Sequence, residues 1–438
     1  MTSPASRPAP PETHAGTETS RPQVGTARII AAASIGNALE WYDISSYAVF
    51  AGYISRAFFT NADPTVSLML ALGTFAVSFL IRPIGALVLG SYADRAGRKP
   101  ALTLSLGLMM VGTLLICVLP TYAVIGVAAP IGILVARLIQ GFAAGGEYGS
   151  ATALMVEHLP ARRGFAASWQ FTSQSLSTLL SGVIGTALTS WLSPAQLDSW
   201  GFRVPFVFGL LVGPVGLYIR RHLPESGEAA AVLASGEKQT PVTTLLTGQK
   251  LLVLLAIGVL AVTTCVNYMV TYLPTYAIKE LHLPASSSFA SLIVSALVLM
   301  VVTPVVGHLS DRYGQLRIMI PAAVLILVLI YPMFALMVGV PTLAVLLTVV
   351  CLLAVLKGAY FGPMGAVVAM IFPTETRATG QAVGYNIGVA IFGGFTPLLA
   401  TWLIRTTGLA VAPSFWVIFA AVVSLAALAV IWRRLGLR

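Results

Sequence analysis

Apolar stretches of roughly twenty residues recur along the whole chain, separated by short polar segments rich in Gly and Pro. That is the length a helix needs to cross the hydrocarbon core of a bilayer. The pattern predicts twelve helical spans, at 28–56, 66–92, 100–120, 123–157, 163–192, 201–221, 250–278, 284–310, 316–338, 342–372, 376–405 and 411–433. The longest internal stretch without apolar character, 222–249, falls between the sixth and seventh spans. The expected organisation is a tail over 1–27, a six-helix bundle over 28–221, a central cytoplasmic loop over 222–249 and a second six-helix bundle over 250–434. The fold class is all-α, a membrane protein of twelve transmembrane helices in two pseudo-symmetric bundles.

Composition narrows the function classes. The 438 residues are 57% hydrophobic and only 9% charged, with a mean hydropathy of +0.89. Soluble domains carry about 25% charged residues, so this chain lacks the polar surface of a soluble enzyme or a nucleic-acid-binding protein. The tail is rich in Pro, Thr, Ser and Ala and holds no apolar stretch of signal-peptide length, so it reads as disordered and not as a cleaved leader.

The net charge of +10 follows from topology. With both termini inside, 18 Lys and Arg fall on the inner side, four (Arg56, Arg203, Lys279, Arg405) on the outer side and three (Arg82, Arg137, Lys357) within spans. The positive-inside rule then fixes the cytoplasmic face and needs no anionic partner. Cys117, Cys265 and Cys351 lie far apart in apolar runs, with no spacing for a disulfide framework or a metal site.

The halves repeat. Gly90-Ser-Tyr-Ala-Asp94-Arg95-Ala-Gly97 after the second span matches Gly307-His-Leu-Ser-Asp311-Arg312-Tyr-Gly314 after the eighth, and Pro160 with Arg162 and Arg163 is echoed by Pro373 with Arg377. Two parallel six-helix repeats point to a rocking secondary transporter with its site near the bilayer midplane.

These residues resemble the major facilitator superfamily, and more narrowly its metabolite:proton symporter group. The narrower resemblance rests on Gly36-Asn37-Ala-Leu-Glu40-Trp41-Tyr42-Asp43, Arg82-Pro83-Ile-Gly85, Arg137-Leu-Ile-Gln140-Gly141 through Gly145-Gly146-Glu147-Tyr148, Ile371-Phe-Pro373 with Arg377, and Gly384-Tyr385-Asn386 through Gly393-Gly394. That group includes citrate, α-ketoglutarate and shikimate symporters and a proline/betaine transporter. The resemblance implies that Asp94, Arg95, Arg98, Asp311 and Arg312 latch the inner gate; anchoring at the inner face is the plainer reading of the same charges. The second-half loop departs from the family in lacking the G-R-[RK] ending.

Six ionisable residues fall inside spans: Glu40, Asp43, Arg82, Arg137, Glu147 and Lys357. Each costs about 2.5–3.5 kcal/mol at a helix centre, so each must pair or face a wet cavity. Arg82 lies roughly 18 Å above the inner loop at 1.5 Å per residue, and Arg137 and Lys357 are near the middle of their spans. Arg137 and Lys357, from opposite halves, are expected to hold an anion between them, with Arg82 as a third cation or as a brace at the kink before Pro83. Asn37, Glu40, Asp43 and Tyr47 are expected to form one polar stripe. Two carboxylates one turn apart repel, so one of them tends to hold a proton; Glu40, Asp43 and Glu147 are the proton-coupling candidates, and permanent buried ion pairs are the alternative. Asn267, Tyr268, Tyr360 and Asn386 are the remaining candidates for the binding cavity. The polar run of the fifth span, including Ser168, Gln170, Ser173 and Ser177, suits helix contact at least as well as a cavity.

The chain has no nucleotide-binding phosphate loop and no H-E-x-x-H pair, and its loops are too short for a catalytic domain. The expected function is proton-coupled import of a small organic acid, a di- or tricarboxylate, by alternating access. The expected partners are that acid, protons and the lipid bilayer, with no nucleic acid; no cofactor is expected, and the chain is expected to act as a monomer in a bacterial inner membrane. A proline/betaine symporter, with Trp41, Tyr42 and Tyr268 as an aromatic cage, is the first alternative. A channel or an intramembrane enzyme is the second.

Overall fold

A computed structural model of the protein describes residues 37–38, 41–60, 63–96, 98–145, 162–222, 248–373, 376–434 and 436. The 1–27 tail, Glu40, Glu147 and nearly all of the central loop lie outside the described residues. Among the described residues there are twelve long helical segments and no strand. They are α1 (41–58, with a turn at Phe50), α2 (64–96, with a turn at Ile81), α3 (Arg98–Val118), α4 (Ala128–Ala144), α5 (Arg163–Trp191), α6 (Val204–His222), α7 (Lys250–Lys279), α8 (Ala285–Tyr313), α9 (Gln315–Gly339), α10 (Leu343–Ile371), α11 (377–407) and α12 (Pro413–Arg434). Seven are long and apolar enough to cross a membrane by length and composition.

Local sequence sets the ends. Asp63 caps α2, its carboxylate accepting the Thr65 N–H at 2.8 Å with Pro64 in the first turn. Gly314 ends α8 at φ 95°, a conformation that favours glycine. The same Gly closes the repeated D-R-x-G motif, so in the second half that position serves the α8–α9 turn.

Polarity across α8 is inverted relative to a helix of a water-soluble protein. On α8, Leu297, Val301, Val305 and Leu309 face outward at four-residue spacing, whereas Ser288, Ser291, Ser295, Thr303, Gly307 and Ser310 are buried. Lipid solvates leucine as well as a protein core does, so small residues that admit close backbone approach collect at the helix interfaces.

The two halves meet mainly through α5 on α8 and α10, and through α2 on α11. The α5–α8 seam is closed along its length. A side chain at Gly185 would strike the ring of Phe289 at one end, and one at Gly164 would meet Gly307, Ser310 and Asp311 at the other. Near the start of α2, Arg405 pairs with Asp63 at 3.0 Å and Lys279 donates to Thr65 at 2.9 Å, both across the halves. The described contacts between the halves therefore include both ends of this interface.

Candidate functional site

The buried charges are placed by close helix crossings. A Cβ at Gly85 would overlap the Phe142 carbonyl, one at Gly141 the Ser78 carbonyl, and one at Gly145 the Arg82 carbonyl. Three glycines thus let α2 and α4 touch backbone to backbone, which puts Arg82 and Arg137 side by side in the first half.

Arg137 is 1% exposed. It donates to Gln140 Oε1 at 2.7 Å and to Ser78 Oγ at 3.0 Å, and its guanidinium stacks over Tyr47 (4.5 Å) and Phe75 (5.2 Å). Arg82, at the turn that interrupts α2, lies over Phe79 at 4.0 Å and beside Trp41 at 5.6 Å. The Nε of each arginine is buried without a hydrogen-bond partner among the described residues.

Tyr268 of α7 brings the second half to this cluster. Its ring packs edge-on against Phe75 and Phe79 at 5.7 and 5.5 Å, and its hydroxyl is buried with no acceptor or donor among the described residues. Space for it comes from a π-helical turn in α11, Ala390–Gly394, where a Cβ at Gly393 would stand 2.6 Å from the Tyr268 ring and one at Gly394 2.7 Å from Phe79. Such bulges recur at functional sites. One residue before Tyr268, Asn267 accepts from Lys357 Nζ at 2.6 Å, and that ammonium lies 5.0 Å from the Phe361 ring. Among the described residues no carboxylate pairs with Arg82, Arg137 or Lys357. Arg82, Arg137 and the Tyr268 phenol thus share one aromatic cluster with Phe75 and Phe79, while Lys357 meets the neighbouring residue of α7, Asn267.

Asp43 sits elsewhere. Its carboxylate points into the first bundle, accepting from Thr113 at 2.9 Å and resting against Gly209 of α6. Asn37 faces the other way, exchanging bonds with Gln170 (3.0 and 2.9 Å) and donating to Ser173 at 2.6 Å on α5. Tyr47 turns to Thr74 of α2 at 2.7 Å. The single stripe expected on the first span is thus divided among three neighbours. The reason is geometric: six residues at 100° each leave Asn37 and Asp43 about 120° apart.

Other candidates are committed to backbone. Tyr360 donates to the Val259 carbonyl at 2.8 Å and braces α10 on α7, and Asn386 donates to Ala382 on its own helix at 2.9 Å. Ser177 donates to the Ala38 carbonyl at 2.6 Å, so the polar face of α5 is largely an α1 contact. At the start of α5, Asp311 accepts the N–H groups of Gly164 and Phe165 at 2.7 and 3.0 Å. A second-half carboxylate thereby caps a first-half helix whose opening amides are otherwise unpaired. Arg312 is exposed and lies over Tyr313. Asp94, Arg95 and Arg98 lie on described helical backbone, but their side chains fall outside the description.

Sequence reasoning did not single out Thr113, Ser78, Phe75 or Phe79. Gln140 was quotable only as part of a motif; its signal was an amide three residues after an arginine within a membrane span.

Comparison with known proteins agrees with this architecture. Residues 33–340 match the family model of the Major Facilitator Superfamily. The chain is 37% identical over 414 residues to a citrate-proton symporter of Klebsiella pneumoniae, covering 94% of this chain and 93% of that protein. It is 33% identical over 411 residues to the proline/betaine transporter of Escherichia coli K12, covering 91% and 82%. The crystal structure of a D-xylose-proton symporter superposes with a TM-score of 0.74 at 16% identity over 93% of this chain and 97% of that one, a likeness of fold. With this match and these relatives, the chain is a multi-pass membrane protein that belongs to the major facilitator superfamily.

Proposed function

We propose that the protein is a proton-coupled symporter for a small organic acid, a di- or tricarboxylate of the citrate type, working by alternating access. The observation that carries this reading is the set of three buried cations, Arg82, Arg137 and Lys357, with no carboxylate partner among the described residues. Buried charge is tolerated in a membrane protein when it pairs or meets a charged cargo. Guanidinium groups grip carboxylates bidentately, and the free Tyr268 hydroxyl and the Lys357–Asn267 pair offer further donors. A cargo with two or three carboxylates matches two arginines on one half and a lysine on the other.

Asp43 is the described candidate for the proton. A carboxylate buried without a cation against it exists comfortably only when protonated or strongly hydrogen-bonded. Rocking of the halves 28–221 and 250–434 about the α5–α8 and α2–α11 seams would expose the site to each side in turn, with the Asp311 cap breaking as the inner side opens. The inner-face excess of Lys and Arg supports cytoplasmic termini in a bacterial inner membrane, and each chain holds a whole site, so a monomer suffices.

The osmolyte reading has less support. Tyr42 donates to the Pro205 carbonyl and packs on Phe208, Tyr268 lies between two phenylalanines, and Trp41 faces Arg82. The three rings do not converge on one cage for a quaternary ammonium. Uptake of labelled citrate, α-ketoglutarate, shikimate, proline and betaine into proteoliposomes decides the point. Accumulation of a di- or tricarboxylate is expected; transport of proline or betaine alone would refute the assignment.

A further inference from the structure

Between Asp43 and Arg137 runs a chain of hydrogen bonds through two neutral side chains. Arg137 donates to Gln140 Oε1 (2.7 Å), Gln140 Nε2 donates to Thr113 Oγ1 (2.8 Å), and Thr113 donates to Asp43 Oδ2 (2.9 Å). All four side chains are buried, Thr113 completely. Gly112 makes the room: a Cβ there would stand 2.6 Å from Gln140 Cγ.

The chemistry of the groups fixes the direction of the chain. A guanidinium has only donors, so Gln140 must turn its carbonyl to Arg137 and its NH₂ to Thr113. Thr113 then accepts from Gln140 and has a single proton to give. Two acceptors lie within reach of that proton, Asp43 Oδ2 at 2.9 Å and the Met109 carbonyl at 3.0 Å. An ionised carboxylate outcompetes a neutral carbonyl, because charge-assisted bonds are about twice as strong. A protonated carboxyl loses that advantage, and the hydroxyl is then free to turn to Met109.

We infer that Thr113 and Gln140 are positioning residues that report the protonation of Asp43 to Arg137. This rests on the reading of Asp43 as the proton site. With Asp43 ionised, all three bonds point the same way and polarise one another, and Arg137 is held toward Gln140. With Asp43 protonated, the Thr113 hydroxyl rotates, the chain is depolarised, and Arg137 is released to bind an anion. No proton travels along the relay; it enters and leaves at the Asp43 carboxyl, and only the hydroxyl hydrogen of Thr113 changes partner. Anion affinity is thereby tied to proton binding by two groups that touch neither ligand. The titratable and charged groups around Asp43 are Tyr42 on its own helix, Cys117 one turn beyond Thr113 on α3, and Arg137 on α4; α6 presents Gly209 there.

The test is the pH dependence of [14C]citrate uptake by full-length protein in proteoliposomes. Thermal unfolding in detergent confirms that each variant is folded. Thr113→Val keeps shape and removes the hydroxyl. Its pH midpoint is expected to move up by about one to two pH units, a ten- to hundredfold change in proton concentration, because a charge-assisted bond to the ionised form is lost. Thr113→Ser should restore the wild-type midpoint. Gln140→Leu does not touch Asp43, yet it should move the midpoint in the same direction, and the Thr113→Val/Gln140→Leu double variant should move it no further than Thr113→Val alone. A wild-type midpoint in Gln140→Leu, or shifts that simply add, would overturn the relay. Asp43→Asn separates the two readings. A flat pH profile in that variant upholds Asp43 as the proton site whatever the relay variants do, and an unchanged profile removes the reading on which the relay rests.

Discussion

Replacing Lys357 by methionine separates a cargo-binding cation from a structural one. Lys357 is 4% exposed, and among the described residues its ammonium has one polar contact, the bond to Asn267 at 2.6 Å, beside the Phe361 ring. Were it locked to a buried acid, removing it would strand that acid and cost about 3–5 kcal/mol of stability. No described carboxylate pairs with it, so the loss on the structural side is one neutral acceptor, about 1 kcal/mol at Asn267. Against that stands relief of an ammonium buried in apolar surroundings, which costs several kcal/mol. The variant should therefore be as stable as the wild type or more so. Binding of the cargo should weaken by one charge-assisted contact, about 1.5–3 kcal/mol, which is roughly a 10- to 150-fold rise in the KM for citrate. The two assays are thermal unfolding in detergent and initial uptake rates over a range of citrate concentrations. A large drop in Tm, or an unchanged KM, would refute the reasoning.

Other expectations follow from single contacts. Asp311→Ala removes the cap on α5, and caps contribute about 0.5–2 kcal/mol, so the Gly164 and Phe165 amides should exchange hydrogen roughly 2- to 30-fold faster; unchanged exchange would show that the cap does not hold the inner seam. Gly141→Ala places a methyl on the Ser78 carbonyl, and overpacking of this kind costs about 1–3 kcal/mol, so its Tm should fall; a wild-type Tm would show that α2 and α4 can separate freely. The Asp63 carboxyl is held below the usual carboxylate range by the Thr65 N–H, with Arg405 adding to the effect. Its bonds are therefore fully present above the ordinary carboxylate value and are lost only as pH falls through the lowered one. Asp63→Asn should leave the shape of the uptake profile between pH 5 and 8 unchanged, and a shifted midpoint would place Asp63 in the proton path.

The parts of this molecule that follow from lipid solvation were legible in the sequence. Twelve apolar runs correspond to twelve long helices among the described residues, and the second-half D-R-x-G motif ends at the α8–α9 turn. The burial of Arg82, Arg137 and Lys357 followed from their position in apolar spans, because a charge facing lipid is too costly there. Gly141 and Gly145 stand at the four-residue spacing that permits close helix packing, and they lie directly on the α2 backbone. What was not legible depends on helix rotation and on backbone partners. Spacing of three and six residues looked like one stripe, yet accumulated rotation sends Asn37 to α5 and Asp43 to α3. The carbonyl that takes the Tyr360 hydroxyl and the amides that Asp311 caps are backbone groups, which leave no trace in residue identity. Thr113 is one threonine in an apolar run, and only its neighbours, 27 and 70 residues away, reveal what it links.

The central claim, that buried cations take up a carboxylate together with a proton, is tested most directly by following pH outside proteoliposomes as citrate is added without any imposed gradient. The account predicts that citrate makes the weakly buffered medium more alkaline, that a protonophore abolishes the change, and that proline and betaine do not produce it. Citrate entry with no movement of protons, or alkalinisation driven by proline or betaine and not by citrate, would contradict it.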